Sequence, residues 1–261
     1  MQSGPPSPDA ARLPSLDGMR GVAAVVVFLN HALNIFYPSL GGFVDRPGFP
    51  HAHLSVLRWL HVLPVAWLFN GPFAVSFFFV LSGFVLTRQV SAGSRPPTLQ
   101  RLLLQRFLRL FPLVCVASTV GWLTLSYSQA GIDAVGALSG ASSGDVFDPA
   151  LAGQATLGAL LTQILYGVWH NEAAPRLFDP VLWSIGTEFQ GSMLLYVVLC
   201  SLRHLRAVAV RYIAAAALLV LFIGPFGLCF VAGMGLAERW AQHGRILPRD
   251  GAVAALAGPG L

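Results

Sequence analysis

Apolar positions in this chain fall into long, nearly unbroken runs rather than the alternating or every-third-or-fourth pattern of a soluble domain. A helix needs about 20 such residues to cross a bilayer, and the runs predict spans over residues 17–37, 64–87, 102–127, 182–202 and 212–237. Residues 155–170 form a shorter apolar segment that spans, lies in the interface, or is a re-entrant piece buried by its neighbours. Gly224-Pro225 inside the last run offers a break that would split it into two shorter helices.

Polar positions set the expected orientation. Arg88, Arg95, Arg101, Arg106 and Arg109 cluster between the second and third spans, which marks that side as cytoplasmic and places the amino terminus there too. The stretch 128–153 carries Asp133, Asp145 and Asp148 and no arginine, as expected of an outer loop. If residues 155–170 do not span, Arg203, Arg206 and Arg211 return inside, and an unbroken last span would then put Arg239, Arg245 and Arg249 outside, against the same rule; a break at Gly224-Pro225 would repair this.

Composition agrees with this picture: 55% of the 261 residues are hydrophobic and 10% charged, against roughly 25% charged in soluble domains. The expected fold is therefore all-α, a polytopic transmembrane helix bundle with about 5–7 membrane segments. A Pro- and Ser-rich cytoplasmic tail, 1–15, precedes one membrane domain, 16–261, with no room for a second, soluble one. The net charge of +5 comes entirely from arginine, mostly at the ends of apolar runs, which suits membrane topology and argues against nucleic acid. Cys115, Cys200 and Cys229 are scattered in apolar stretches and read as small hydrophobes. Gly140-Ala-Ser142-Ser-Gly144 matches G-x-S-x-G formally, but lacks the strand and helix that a nucleophile elbow requires.

Ionisable residues inside apolar runs are costly and mark candidate chemistry. His31 lies eleven residues after Arg20, close to three helical turns, so both share one face about 16 Å apart. A general base and an interhelical hydrogen-bond partner are equally good readings of His31 on the residues alone. Asn30 and Asn34 flank it, and Asp17 is placed to pair locally with Arg20. Arg106 and Arg109, one turn apart, suit either positive-inside anchoring or forked binding of phosphates. Glu188 shares a polar helix stripe with Ser184 and Ser192 and needs a partner, whether Arg20, His31 or another cation.

Four segments occur in order: Leu16-Asp17-Gly18-Met19-Arg20-Gly21 leading to His31; Ser76-Phe-Phe-Phe-Val-Leu-Ser82-Gly83-Phe84; Arg106-Phe-Leu-Arg109-Leu-Phe-Pro112; and Leu182-Trp183-Ser184-Ile-Gly-Thr187-Glu188-Phe189. Together, from residue 13 to at least 189, they resemble the acyltransferase-3 family of integral membrane O-acyltransferases. The resemblance implies transfer of an acyl group, typically acetyl, from acyl-coenzyme A to a hydroxyl of a carbohydrate or similar acceptor, in a multi-pass protein of the cytoplasmic membrane. It implies His31 as general base, Arg20 and Glu188 in the catalytic site, and Arg106 and Arg109 on the donor phosphates. Acetyl-coenzyme A is then a substrate, and neither a tightly bound cofactor nor a metal is expected. Members have further carboxyl-terminal spans, so the chain reads as incomplete there. The rival readings are a proton-coupled transporter using His31, Arg20 and Glu188 as a relay, and an inactive truncated remnant.

Overall fold

The computed structural model describes residues 14–36, 70–91, 98–128, 130–131, 133–134, 155–170, 178–202 and 207–243. Among these every element is helical: α1 Pro14–Phe36, α2 Gly71–Ser91, α3 Leu99–Tyr127, α4 Leu157–Thr162, α5 Trp183–Ser201, α6 Val208–Ile223 and α7 Gly227–His243. The expected helical bundle is present, and helix bounds lie close to the apolar runs; residues 64–69 of the second expected span fall outside the described residues. Gly71–Ser91 and Leu99–Tyr127 are helices long and apolar enough to cross a membrane, and the stretch Val208–Gln242 is so by total length and composition.

Local chemistry explains several boundaries. Asn70 starts α2 by accepting the Phe73 N–H on Oδ1 at 2.9 Å, beside Pro72 in the first turn. Hydroxyls inside the helices bond back to carbonyls four residues earlier: Thr87 to Gly83 at 2.8 Å, Thr119 to Cys115 at 2.7 Å and Thr187 to Trp183 at 3.0 Å. Such bonds let a polar side chain sit where no water is available.

Helix α3 is apolar outward and turns its polar Arg106 and Ser118 inward among apolar residues. Leu104, Leu108, Leu113, Val116 and Val120 are exposed, while Leu102, Arg106, Leu110, Val114 and Ser118 are buried at four-residue intervals. An outer apolar stripe fits hydrocarbon, and inward polar groups fit the interior of a membrane bundle.

Helix α2 is the centre of the bundle, packing on α1, α5 and, most extensively, α7. Glycine makes the α2–α7 contact possible: a Cβ on Gly83 would collide with the Phe230 carbonyl, and one on Gly233 with the Val80 carbonyl. Small residues at such crossings let two backbones approach closely. Around the contact Phe79 stacks on Phe230, with ring centroids 5.3 Å apart, amid buried Leu195, Leu219 and Met234.

The last apolar stretch is a hairpin. A straight helix would separate Arg211 and Glu238 by about 40 Å, yet Arg211 Nη2 donates to Glu238 Oε1 at 2.6 Å and the Tyr212 hydroxyl to Oε2 at 2.8 Å. Gly224, at φ 66°, and Pro225 make the turn, so Arg211 and Arg239 lie at the same end. The single expected span 212–237 is thus two legs, because only glycine adopts that dihedral cheaply and Pro225 has no N–H to continue the helix.

Residues 155–170 are not a span. The apolar helix Leu157–Gly167 rises about 16 Å and ends in a π turn, Gln163–Gly167. Trp169 Nε1 donates to the Ile164 carbonyl at 2.6 Å, and its ring packs among Phe107, Phe111 and Phe189. Of the readings open for this segment, burial by neighbours holds for Leu160, Gln163, Ile164 and Val168, while Leu161 and Leu165 remain exposed.

Candidate functional site

Two tiers of polar side chains occupy the bundle. The first lies at the arginine end. Arg106 projects inward from α3 and is 6% exposed; its Nη2 pairs with Glu188 Oε1 on α5. Its Nε donates to Ser192 Oγ at 3.1 Å, and Ser82 of α2 donates to the same Glu188 oxygen at 2.8 Å. Ser192 in turn donates to the Glu188 backbone carbonyl at 2.6 Å. One buried ion pair with two serine hydroxyls therefore ties α2, α3 and α5 together. Glu188 finds its partner in Arg106, and Ser192 of the expected polar stripe joins the knot, whereas Ser184 bonds locally to the Val181 carbonyl at 2.9 Å.

Arg20 faces this knot from α1. Arg109, Glu188, Arg106 and Asp17 are the charged groups within electrostatic reach of it. Asp17 is its local partner at 3.9 Å but is 69% exposed, a surface pair of small energetic weight. Arg109, one turn beyond Arg106, is exposed. Arg20, Arg106 and Arg109 thus face two carboxylates, leaving an excess of positive charge at this end. Tyr196 completes the tier: its hydroxyl donates to Gln89 Oε1 at 2.9 Å, and Arg106 and Arg109 both act on it.

The second tier is set by His31, about 16 Å further along α1. His31 is half-buried and lies within electrostatic reach of Asp179, in the turn before α5. Neighbouring Asn30 fixes the level, since its side chain fills the space where a Cβ on Gly71 would stand. Asn34 has no described side chain.

Asp179 is held in a rigid frame. Its Oδ1 accepts the Val181 N–H at 3.0 Å, capping the short 3-10 turn Pro180–Leu182. The preceding Phe178 N–H donates to Gln163 Oε1 at 2.8 Å, and Gln163 Nε2 donates to Ser118 Oγ at 3.0 Å. Phe178 presses its carbonyl onto α3 at Gly121, where a Cβ would collide with it. Burial pushes the Asp179 carboxyl above the ordinary carboxylate range, with the Val181 N–H and His31 pulling it partly back.

Sequence reasoning singled out His31, Arg20, Arg106, Arg109 and Glu188, and the structure gathers the last four at one tier and His31 at the other. It missed Asp179, Gln163 and Gly121. The signal for Asp179 was a carboxylate just before Pro180 and the Trp183 segment; nothing in the sequence tied it to His31. Trp183 is a wall residue, its ring 5.5 Å from that of Phe226. Among the described residues no group of three His, Cys, Asp or Glu side chains converges on a metal-sized site.

No curated protein and no solved structure matches the chain. A family model described as an acyltransferase domain matches residues 13–247, which takes in both tiers and every helix that builds them. On that match, and with apolar helices of membrane-crossing length, the chain belongs to the acyltransferase-3 family and is a membrane protein of transferase type.

Proposed function

We propose that this protein transfers an acyl group, acetyl in the first instance, from acyl-coenzyme A to a hydroxyl of a carbohydrate or similar acceptor, with His31 as general base. Arg20 and Arg109 carry the reading: two cations from different helices act on each other while Glu188 is already engaged by Arg106. Like charges held together call for an anion, and the phosphates of coenzyme A supply one. Arg106 contributes to the same site by anchoring α3, so that Arg109 is presented one turn further on.

The distance between tiers suits a donor whose charged end stays with the arginines while its extended arm carries the thioester toward His31. There His31 takes the proton of the acceptor hydroxyl as its oxygen attacks the thioester carbonyl. Collapse of the tetrahedral intermediate breaks the carbon–sulfur bond, and the leaving thiolate receives that proton, giving an ester and free coenzyme A. The arginine end faces the cytoplasm, where acyl-coenzyme A is made, and the amino terminus of α1 lies on that side.

Acyl transfer from labelled acetyl-coenzyme A in membranes containing the full chain tests this reading. His31→Ala is expected to lose turnover by about 10²–10⁴-fold with donor binding kept, and Arg109→Ala to weaken donor binding. Wild-type protein that folds but neither binds nor consumes acetyl-coenzyme A would overturn it, in favour of a transporter or an inactive chain.

A further inference from the structure

We infer that an exposed stripe of α3, made by Arg101, Gln105 and Arg109, holds the nucleotide end of the donor, with Arg101 on the phosphate monoester that its ribose carries. This rests on the coenzyme A reading and deepens it, because that phosphate is what distinguishes coenzyme A from other pantetheine thioesters.

The three residues are four apart, so one face of α3 carries them, each about 6 Å along the axis from the next. All three are exposed, whereas Arg106 points into the bundle. A chain of hydrogen bonds sets the direction of the stripe. Buried Tyr196 of α5 donates to Gln89 Oε1 at 2.9 Å, and Gln89 Nε2 donates to Gln105 Oε1 at 3.5 Å. The stripe therefore turns toward the cytoplasmic end of α2, the helix on which α1 packs, and lies beside the outward apolar stripe of Leu104 and Leu108. Among the described residues no carboxylate pairs with Arg101 or Arg109, in contrast to Arg106 and Arg211, each engaged by a glutamate. Topology asks for arginines at this end of the helix, but not for two on one face with an amide midway. Such a face suits a ligand with two separate anionic groups flanking a polar body.

The order of these residues along α3 matches the order of groups in the donor. Arg101 is the third residue of the helix, and Arg109 lies about 12 Å deeper, where Arg20 of α1 comes within electrostatic reach. A donor whose thioester points toward His31 has its diphosphate at the deeper arginines and its nucleoside behind, beside Gln105. The ribose phosphate then falls at Arg101, whose forked guanidinium can bind it through two parallel hydrogen bonds. Lipid headgroups offer the same phosphate chemistry at this depth, so the test separates the two sources.

The full chain in phosphatidylcholine nanodiscs is given acetyl-coenzyme A or acetyl-dephospho-coenzyme A, which lacks only the ribose phosphate. Wild type should show a KM about 10–100-fold higher for the dephospho donor, at similar kcat. Arg101→Ala should abolish the difference by raising KM for acetyl-coenzyme A alone, and Arg101→Lys should keep part of it. Arg109→Ala should raise both KM values and leave their ratio in place. Equal use of the two donors by wild type, or equal losses on both in Arg101→Ala, would overturn the inference. So would added phosphatidylglycerol that raises KM for both donors in wild type but not in Arg101→Ala, since Arg101 would then belong to lipid headgroups. Calorimetric binding of adenosine 3′,5′-bisphosphate against adenosine 5′-phosphate needs no turnover. The bisphosphate should bind more tightly, and Arg101→Ala should remove its advantage. If wild type transfers from neither donor, the transferase reading fails, while this comparison still decides the subsite.

Discussion

Removing Glu188 should loosen the whole bundle, because it leaves a guanidinium buried without its carboxylate. Arg106 is 6% exposed and Glu188 23% exposed, so the pair is shielded from water but not sealed. Breaking a buried pair from one side costs about 3–5 kcal/mol. Here Ser82 and Ser192 remain to accept from Arg106, which argues for the lower end, about 3 kcal/mol. The serine bonds alone are worth far less, since interhelical hydrogen bonds in membranes average about 0.6 kcal/mol. Ser82→Ala should therefore be mild where Glu188→Leu is severe. Replacing both partners, Arg106→Leu with Glu188→Leu, removes the stranded charge and should recover most of the loss, since apolar substitutes for a buried pair are often neutral or better. Reversible unfolding in mixed micelles, followed by tryptophan fluorescence, gives the four corners of the cycle, with an expected coupling of about 2–3 kcal/mol. If the double variant loses the sum of the two singles, or Glu188→Leu costs under about 1 kcal/mol, the pair does not hold these helices together.

Gly83→Ala should destabilise by about 1–3 kcal/mol through collision with the Phe230 carbonyl, whereas Gly21→Ala, whose Cβ meets nothing within 4 Å, should be neutral or slightly stabilising in the same unfolding assay. The α6–α7 hairpin places Ala207 and Gln242 at one end. Ala207→Cys and Gln242→Cys, made after replacing Cys115, Cys200 and Cys229 with alanine, should thus react with an impermeant thiol reagent from the same face of sealed vesicles; labelling from opposite faces would refute the turn at Gly224. Asp179 carries a pH signature. Its native carboxyl lies above the ordinary range through burial, so the folded state holds that proton more tightly than the unfolded chain. Its contribution is present in full below the ordinary carboxylate pKa and is lost as pH rises through the raised native value. Asp179→Asn should abolish this dependence and melt higher than wild type near pH 7, and a variant that melts lower there would count against the buried, charged carboxylate.

The bundle and its helix bounds were legible because length and apolar content decide what can cross a bilayer, and Pro14–Phe36 and Leu99–Tyr127 fall within a few residues of the runs that announce them. Gly224-Pro225 was visible as a break, but only the Arg211–Glu238 contact shows that the chain doubles back. The partner of Glu188 was not legible. Three cations lie within reach along the helices, and the choice depends on how far α3 and α5 slide past each other, which is set by packing such as Phe178 on Gly121. Asp179 was hidden for the same reason, since its turn is held in place by Gln163 and Ser118, neither of which carries a motif.

The Arg106–Glu188 pair also bears on how the chain is made. Its partners are separated by 82 residues, and at ~5–20 residues per second of synthesis the arginine emerges about 4–16 s before its carboxylate. Throughout that interval α3 carries an uncompensated cation, which an inserting helix tolerates at about 2.5–3.5 kcal/mol when central and less when it snorkels to the interface. Arg106 is the eighth residue of α3, near enough to the arginine end to wait at the headgroups. Docking of α5 then draws it inward, so the knot closes as a late step of biogenesis, and a ribosome stalled before residue 188 would leave α3 inserted but shallow.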